Sequence, residues 1–186
     1  MAKRIGWLIV LLSSWLSMSF ANEFMISSVF VKNGREENSY KIAIDATIEM
    51  SKDQIQMLEN GIPLTFTYTF VVEEKVGLVW LEGDNPPKNY SFVIAYNALT
   101  RQYVVHAEQS KKYENFPTLT LALAYIAEPK NFRIKIAHRK ADKIYRGGVR
   151  LKLNIDELPT PLRIPAYLSS DWNLDTGWKY WEFAKW

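Results

Sequence analysis

In Lys41–Glu49 the apolar residues Ile42, Ile44, Ala46 and Ile48 alternate with Lys41, Asp45, Thr47 and Glu49. A strand sends successive side chains to opposite faces, whereas a helix repeats about every 3.6 residues, so this stretch reads as a strand with one buried face. The same period returns at Phe132, Ile134 and Ile136, and again at Val149, Leu151, Leu153 and Ile155. Leu64–Val72, Tyr90–Tyr96 and Gln102–Glu108 are rich in β-branched and aromatic residues and read as further strands. Gly77–Leu81 is expected to pair with the first of these or to extend it. Asn97–Arg101 is short enough to close an antiparallel hairpin.

Two segments break the pattern as helices. Ser51 followed by Gln54 forms a capping box, and Glu59-Asn60-Gly61-Ile62-Pro63 supplies the stop, with Ile55 and Leu58 expected inward. Leu119, Ala122, Leu123 and Ile126 share one helical face between Thr118 as cap and Pro129 as stop. Gly83–Lys88, with two prolines, reads as a turn, and residues 109–116 as polar loop. The glycines of Arg146-Gly147-Gly148 read as a turn or bulge. The fold class that follows is mainly β, an antiparallel β-sandwich or strongly curved sheet with two short helices.

Lys3 and Arg4, the apolar run from Ile5 and the small residues Ser19 and Ala21 together form a secretory signal peptide over residues 1–21. Residues 22–186 then form a single β-rich domain in the periplasm, or a membrane-anchored one if the segment stays uncleaved. The chain has no cysteine, so its stability rests on burial rather than disulfides.

The reactive residue types are sparse. His106 and His138 are the only histidines, no Gly-x-Ser-x-Gly occurs, and neither a zinc spacing, a calcium loop nor a phosphate loop is written in the chain. No cofactor, metal or catalytic set is therefore expected. Asp171 and Asp175 flank Trp172, the one arrangement resembling an acid and a base beside a sugar-stacking ring; their other reading is as turn and cap residues.

Charge is more informative. Residues 22–87 carry a net −6 and residues 88–186 a net +7. From Arg133 to Lys152 there are eight basic residues and one acid, Asp142. Alternation turns Arg133, Lys135, Arg150 and Lys152 outward, with Arg139 and Lys140 in the connection between the strands. This basic surface is a candidate contact for an envelope protein or an anionic membrane surface, nucleic acid being unlikely in an exported chain; its other reading is a solvated face compensated by the acidic half. In Trp178-Lys179-Tyr180-Trp181-Glu182-Phe183, alternation puts Trp178 and Tyr180 on one face and Trp181 and Phe183 on the other. One face completes the core; the other is either packed or an exposed docking patch including Trp178 or Trp181.

Leu58–Leu64, Tyr96–Tyr103, Phe116–Leu119, Leu158–Leu162 and Asp171–Leu174 with Trp178 together resemble a proteobacterial family of exported proteins, the domain of unknown function 4390. The resemblance spans nearly all of residues 22–186. It implies no assigned activity, and it implies a neighbourhood with a nitrogen-regulation-type sensor kinase, beside which members are often encoded. The expected function is an exported, non-enzymatic interaction module of the cell envelope with a sensor kinase as one candidate partner. The alternatives are a periplasmic binding protein for a small apolar or envelope-derived ligand and, more remotely, a glycan hydrolase.

Overall fold

The computed structural model describes residues 24–183 except Asn131, His138 and Ala141. The expected signal segment, the residues around its cleavage site and His138 lie outside the described residues.

The smaller of two sheets has the strand order β1-β2-β8, with β1 at Phe24–Asn33, β2 at Ser39–Ile48 and β8 at Phe132–Lys135. The larger sheet runs β10-β9-β3-β5-β6-β7. Its strands are β3 (Leu64–Val76), β5 (Lys88–Asn97), β6 (Gln102–Ala107), β7 (Lys112–Phe116), β9 (Tyr145–Leu153) and β10 (Lys179–Glu182). A short β4 (Val79–Glu82) pairs only with the far end of β3, and every pairing in both sheets is antiparallel.

Alternation explains why the two sheets close on each other. Tyr40, Ile42, Ile44, Ala46 and Ile48 of β2 are buried, and so are Phe66, Tyr68, Phe70 and Val72 of β3. Phe132 joins the layers, its ring centroid 5.3 Å from that of Tyr68, 4.9 Å from Phe70 and 4.5 Å from Tyr90. Burial pushes the Tyr68 hydroxyl up in pKa, and that hydroxyl donates to the Ile126 carbonyl at 3.0 Å, so the one polar atom of the ring is satisfied.

Helices close the edges of this core. α1 (Lys52–Glu59) has the expected capping box, and Leu58 is buried as expected. Ile55 is only half-buried, because Gln54 takes the second inward position. Its amide accepts from the Ser51 N–H at 2.8 Å and donates to the Asp171 carbonyl at 2.7 Å, tying the helix to the C-terminal segment. α2 (Leu119–Ala127) buries Ala122, Ile126 and Ala127 behind a Thr118 cap.

Four features depart from the expected organisation. Residues 109–116 are not all loop, since β7 occupies Lys112–Phe116; as an exposed edge strand it has no buried face to produce alternation. β1 was masked in the sequence by a register shift between Ile26 and Ser28, which breaks the period of two. A third α-helix, α3 (Thr160–Leu168), also forms; Pro161 lies in its first turn, where the missing N–H is tolerated, and Pro165 lies inside it. Finally, Gly147 and Gly148 lie within β9, paired on both sides in unbroken register, rather than at a turn or bulge. A Cβ at Gly148 would lie 2.8 Å from the Tyr180 ring and 2.9 Å from Val71, so the missing side chains let β10 dock.

Candidate interaction surface

The outer face of the smaller sheet carries a row of cations. Lys32 is the cross-strand partner of Lys41, and Lys41 is the partner of Arg133, so three positive side chains span all three strands in register. Directly opposed side chains stand about 4.5–5.5 Å apart at Cβ, and like charges there are destabilising. Among the described residues none of the three has a carboxylate within ion-pair distance. Phe30, two residues before Lys32 on the same face, is 59% exposed.

The row borders a basin of about 350 Å³ whose lining includes Arg35, Lys41, Lys88, Arg133 and Lys135 with a single acid, Glu36. Glu36 pairs with Lys135 at 3.2 Å. The Arg133 carbonyl accepts from the Tyr90 hydroxyl at 3.0 Å and from Lys88 Nζ at 3.3 Å, which fixes the β8 backbone and holds Lys88 at the rim. An anion entering the basin meets cations from two strands of one sheet and the first residue of β5 in the other.

The outer face of the larger sheet is the opposite case. Arg146 bonds Glu73 at 2.5 Å and Arg150 binds Asp175 through Nε and Nη2, with Lys152 at 3.8 Å, while on the opposite side of the β3 end Lys143 bonds Glu74 at 2.8 Å. The hydrogen bond from Arg150 holds the Asp175 carboxyl below its ordinary range, and the hydrogen bond from Lys143 does the same for Glu74. Glu73 and Glu74 come from the acidic half of the chain, so here the charge compensation does form.

Aromatic rings fill the spaces between these pairs. The Arg146 guanidinium lies 4.5 Å from the Trp80 ring centre and 3.9 Å from that of Tyr180, while Trp178 stacks beside Tyr180 at 6.1 Å and 25°. Trp178 and Tyr180 are 37% and 40% exposed. Their faces are occupied by one another and by arginine, which makes the array a brace for β10 rather than an open stacking platform.

The basic surface read from Arg133 to Lys152 therefore divides. Arg133 and Lys135 belong to the smaller sheet's outer face; Arg150, Lys152 and Trp178 belong to the larger sheet's outer face. Arg139 lies beside Tyr40, contacting its hydroxyl, and the Lys140 N–H donates to the Tyr145 hydroxyl at 3.2 Å. Trp181 turns inward over Gly147 beside the buried Phe183. The division arises because β8 pairs with β2 whereas β9 pairs with β3 and β10, a long-range choice that alternation does not encode. Lys32, Lys41, Lys88 and Arg35 were missed as site residues; the outward position of Lys41 in β2 was the signal available.

The remaining candidates have simpler surroundings. Trp172 is buried and offers no ring to a sugar, Asp171 is exposed, and Asp175 is an ion-pair partner with a lowered rather than raised pKa. His106 stacks on Tyr113 at 4.2 Å and 12°, with Nδ1 3.2 Å from the Lys112 carbonyl oxygen. Between α2 and β8 lies a groove of about 690 Å³ with Tyr90, Phe92, Tyr125, Phe132, Lys112 and Lys130 among its lining.

Two facing antiparallel sheets define a mainly β protein of the sandwich type. Residues 21–182 match the family described as Domain of unknown function (DUF4390), and the chain belongs to that family. Comparison with curated proteins and with solved structures finds no match.

Proposed function

We propose that the chain is an exported, non-enzymatic interaction module of the cell envelope that binds an anionic partner through the outer face of its smaller sheet. The observation that carries this reading is the contrast between the two faces. Cations on the outer face of β9 in the larger sheet are paired with acids, whereas Lys32, Lys41 and Arg133 face one another without any among the described residues. A row of like charges works against the sheet that carries it, and an anionic partner turns the same row into a source of attraction.

Export rests on the N-terminal residues, whose charged, apolar and small-residue regions follow the order of a signal peptide. An inner-membrane sensor kinase is the protein partner to which the family resemblance points. The test is retention on isolated envelopes at increasing salt, comparing the wild type with Lys32→Glu/Lys41→Glu/Arg133→Glu. Binding that weakens with salt and is lost in the triple variant supports the reading, because exposed charges are screened over about 8–10 Å at physiological salt. Equal retention of the two proteins contradicts it.

A second reading, a carrier of a small apolar or envelope-derived ligand, is favoured by the aromatic groove between α2 and β8. Native mass spectrometry of protein taken from its own envelope tests it: a bound small molecule, lost in Ala124→Trp, supports this reading, and a consistently bare protein speaks against it.

A further inference from the structure

The β3–β4 hairpin projects from the end of the sandwich that holds the cationic basin. The last partner β9 offers β3 is Tyr145, opposite Glu74, and Lys75 adds one further hydrogen bond from its N–H to the Ile144 carbonyl at 2.9 Å. Past that point Val76 pairs only with Val79 across a two-residue turn, Gly77-Leu78, with Gly77 at a φ of +63° that glycine adopts without strain. Leu78 at the tip is 98% exposed, and Val76, Val79 and Leu81 are exposed around it. Such a concentration of apolar side chains on a convex tip is unusual for a surface facing only water.

Several contacts put this tip and the basin at one end. Lys143 of the β8–β9 connection bonds Glu74 at the hairpin's root. The Ala137 N–H of the same connection donates to Asn85 Oδ1 at 2.7 Å, in the loop leading from the hairpin to Lys88. The Ile136 N–H donates to the Asn38 carbonyl at 2.9 Å, in the β1–β2 turn that also supplies Arg35. Lys88 and Arg133 then meet at the basin.

We propose that this end of the molecule docks on a lipid bilayer bearing anionic headgroups, with the Val76–Val79 tip entering the interface and the basin cations meeting headgroup phosphates. The inference deepens the anionic-partner reading and rests on it. A fluid apolar layer accommodates a convex tip without needing a matching groove, and the cation excess beside the tip selects for negative headgroups. Trp80 sits directly behind the tip between Lys75 and Arg146, its ring centre 5.9 Å and 4.5 Å from them. An amphipathic indole flanked by cations suits the depth of the headgroup layer. Glu73 and Glu74 are neutralised by Arg146 and Lys143, which leaves Glu82, Asp84 and Asp142 near the root of the hairpin, and Glu36 in the basin, against the basin's five cations.

The absence of cysteine makes the test direct. The chain from Asn22 onward, which carries the whole buried core described above, is labelled with an environment-sensitive fluorophore through Leu78→Cys, and separately through Leu99→Cys. Leu99 is equally exposed at 98% but lies in the β5–β6 turn, at the opposite end of β5 from Lys88. With phosphatidylcholine vesicles containing phosphatidylglycerol, the label at position 78 shifts to the blue and brightens while the label at 99 does not. Vesicles of phosphatidylcholine alone give a far smaller change. Lys41→Glu/Arg133→Glu weakens vesicle binding by at least about tenfold, as expected for removing and reversing two surface charges. If Leu78→Asp/Val79→Asp binds vesicles as well as the wild type, the tip has no part and the inference fails, while the basin reading stands. The inference also fails if the two labels respond alike, or if position 78 responds to protein concentration without vesicles, which marks a second copy as the occupant. No vesicle binding together with salt-sensitive retention on envelopes overturns the bilayer and leaves an acidic protein as the partner.

Discussion

The indole ring of Trp181 occupies the space that a side chain on Gly147 would need: a Cβ there would lie 2.3 Å from ring carbon Cζ2 and 2.4 Å from Cε2. The two residues are cross-strand partners in the β9–β10 pair, so this contact decides how closely the last strand approaches the sheet. Gly147→Ala is expected to destabilise the fold by about 1–3 kcal/mol through overpacking. The cost should shrink in a Trp181→Ala background, where nothing remains to collide with the new methyl group. A double-mutant cycle by urea unfolding measures the difference, and purely additive effects would show that the contact is not the cause.

Removing the tail has a larger effect. Truncation after Leu174 deletes β10 and with it the buried Phe183, whose ring packs 4.5 Å from Tyr40 of the facing sheet. Burial of one such side chain contributes roughly 1.5–3 kcal/mol, a large share of a net stability of about 5–15 kcal/mol. The half-buried Trp181 goes as well, and β9 becomes an unprotected edge containing two adjacent glycines. The truncated domain is expected to lose its sharp thermal transition and to self-associate. A melt as high and as steep as that of the intact domain would mean the tail is a docking segment rather than part of the core.

Acid sensitivity should trace to Asp175. Its carboxyl is held below the ordinary range chiefly by the hydrogen bond from Arg150. A depressed folded-state pKa contributes stability that is present above the unfolded value, about 3.9 for aspartate, and is lost as pH falls through the folded value. Asp175→Asn is therefore expected to destabilise the protein near neutral pH, by about 1–3 kcal/mol for a charge-assisted pair, and to matter progressively less below pH of about 4. Urea unfolding of both proteins across that range checks the sign. A gap that widens in acid would exclude the pair as its source.

Arg150 illustrates what was legible before the structure and what was not. Its outward direction in β9 follows from alternation with Val149 and Leu151, and the same logic placed Arg133 outward in β8. Alternation reports only which side of its own strand a residue occupies. Whether two strands share a sheet depends on pairings such as Ile42 with Phe132 and Phe70 with Val149, between residues distant in sequence. Hence the sequence pattern alone runs two correctly oriented arginines into one surface although they belong to different sheets. Strands were legible where one face is buried, as in β2, and illegible where neither is, as in β7. The hairpin tip is not legible as a surface in the sequence, because Val76, Leu78 and Val79 have the composition of ordinary strand residues and only the fold exposes them. The division of Trp178 and Tyr180 from Trp181 and Phe183 was legible because a docked edge strand keeps the period of two.

The cation row permits a test in which stability and binding move in opposite directions. Lys41 stands between Lys32 and Arg133, with both as direct cross-strand partners. Lys41→Glu replaces two repulsive neighbours with two attractive ones while leaving the inward face of β2 untouched. Opposed charge pairs on a sheet contribute roughly 0.2–1 kcal/mol each, so the variant is expected to be more stable than the wild type by an amount of that order. Its attraction to an anionic partner should fall at the same time, because the middle of the row now carries the partner's own sign. Thermal unfolding at low and high salt separates these effects. The stability gain should diminish as salt screens the exposed charges. A surface kept for solubility alone predicts the gain without any loss of envelope or vesicle binding. A binding surface predicts both, and a variant less stable than the wild type at low salt would show that the three cations do not repel one another across the sheet.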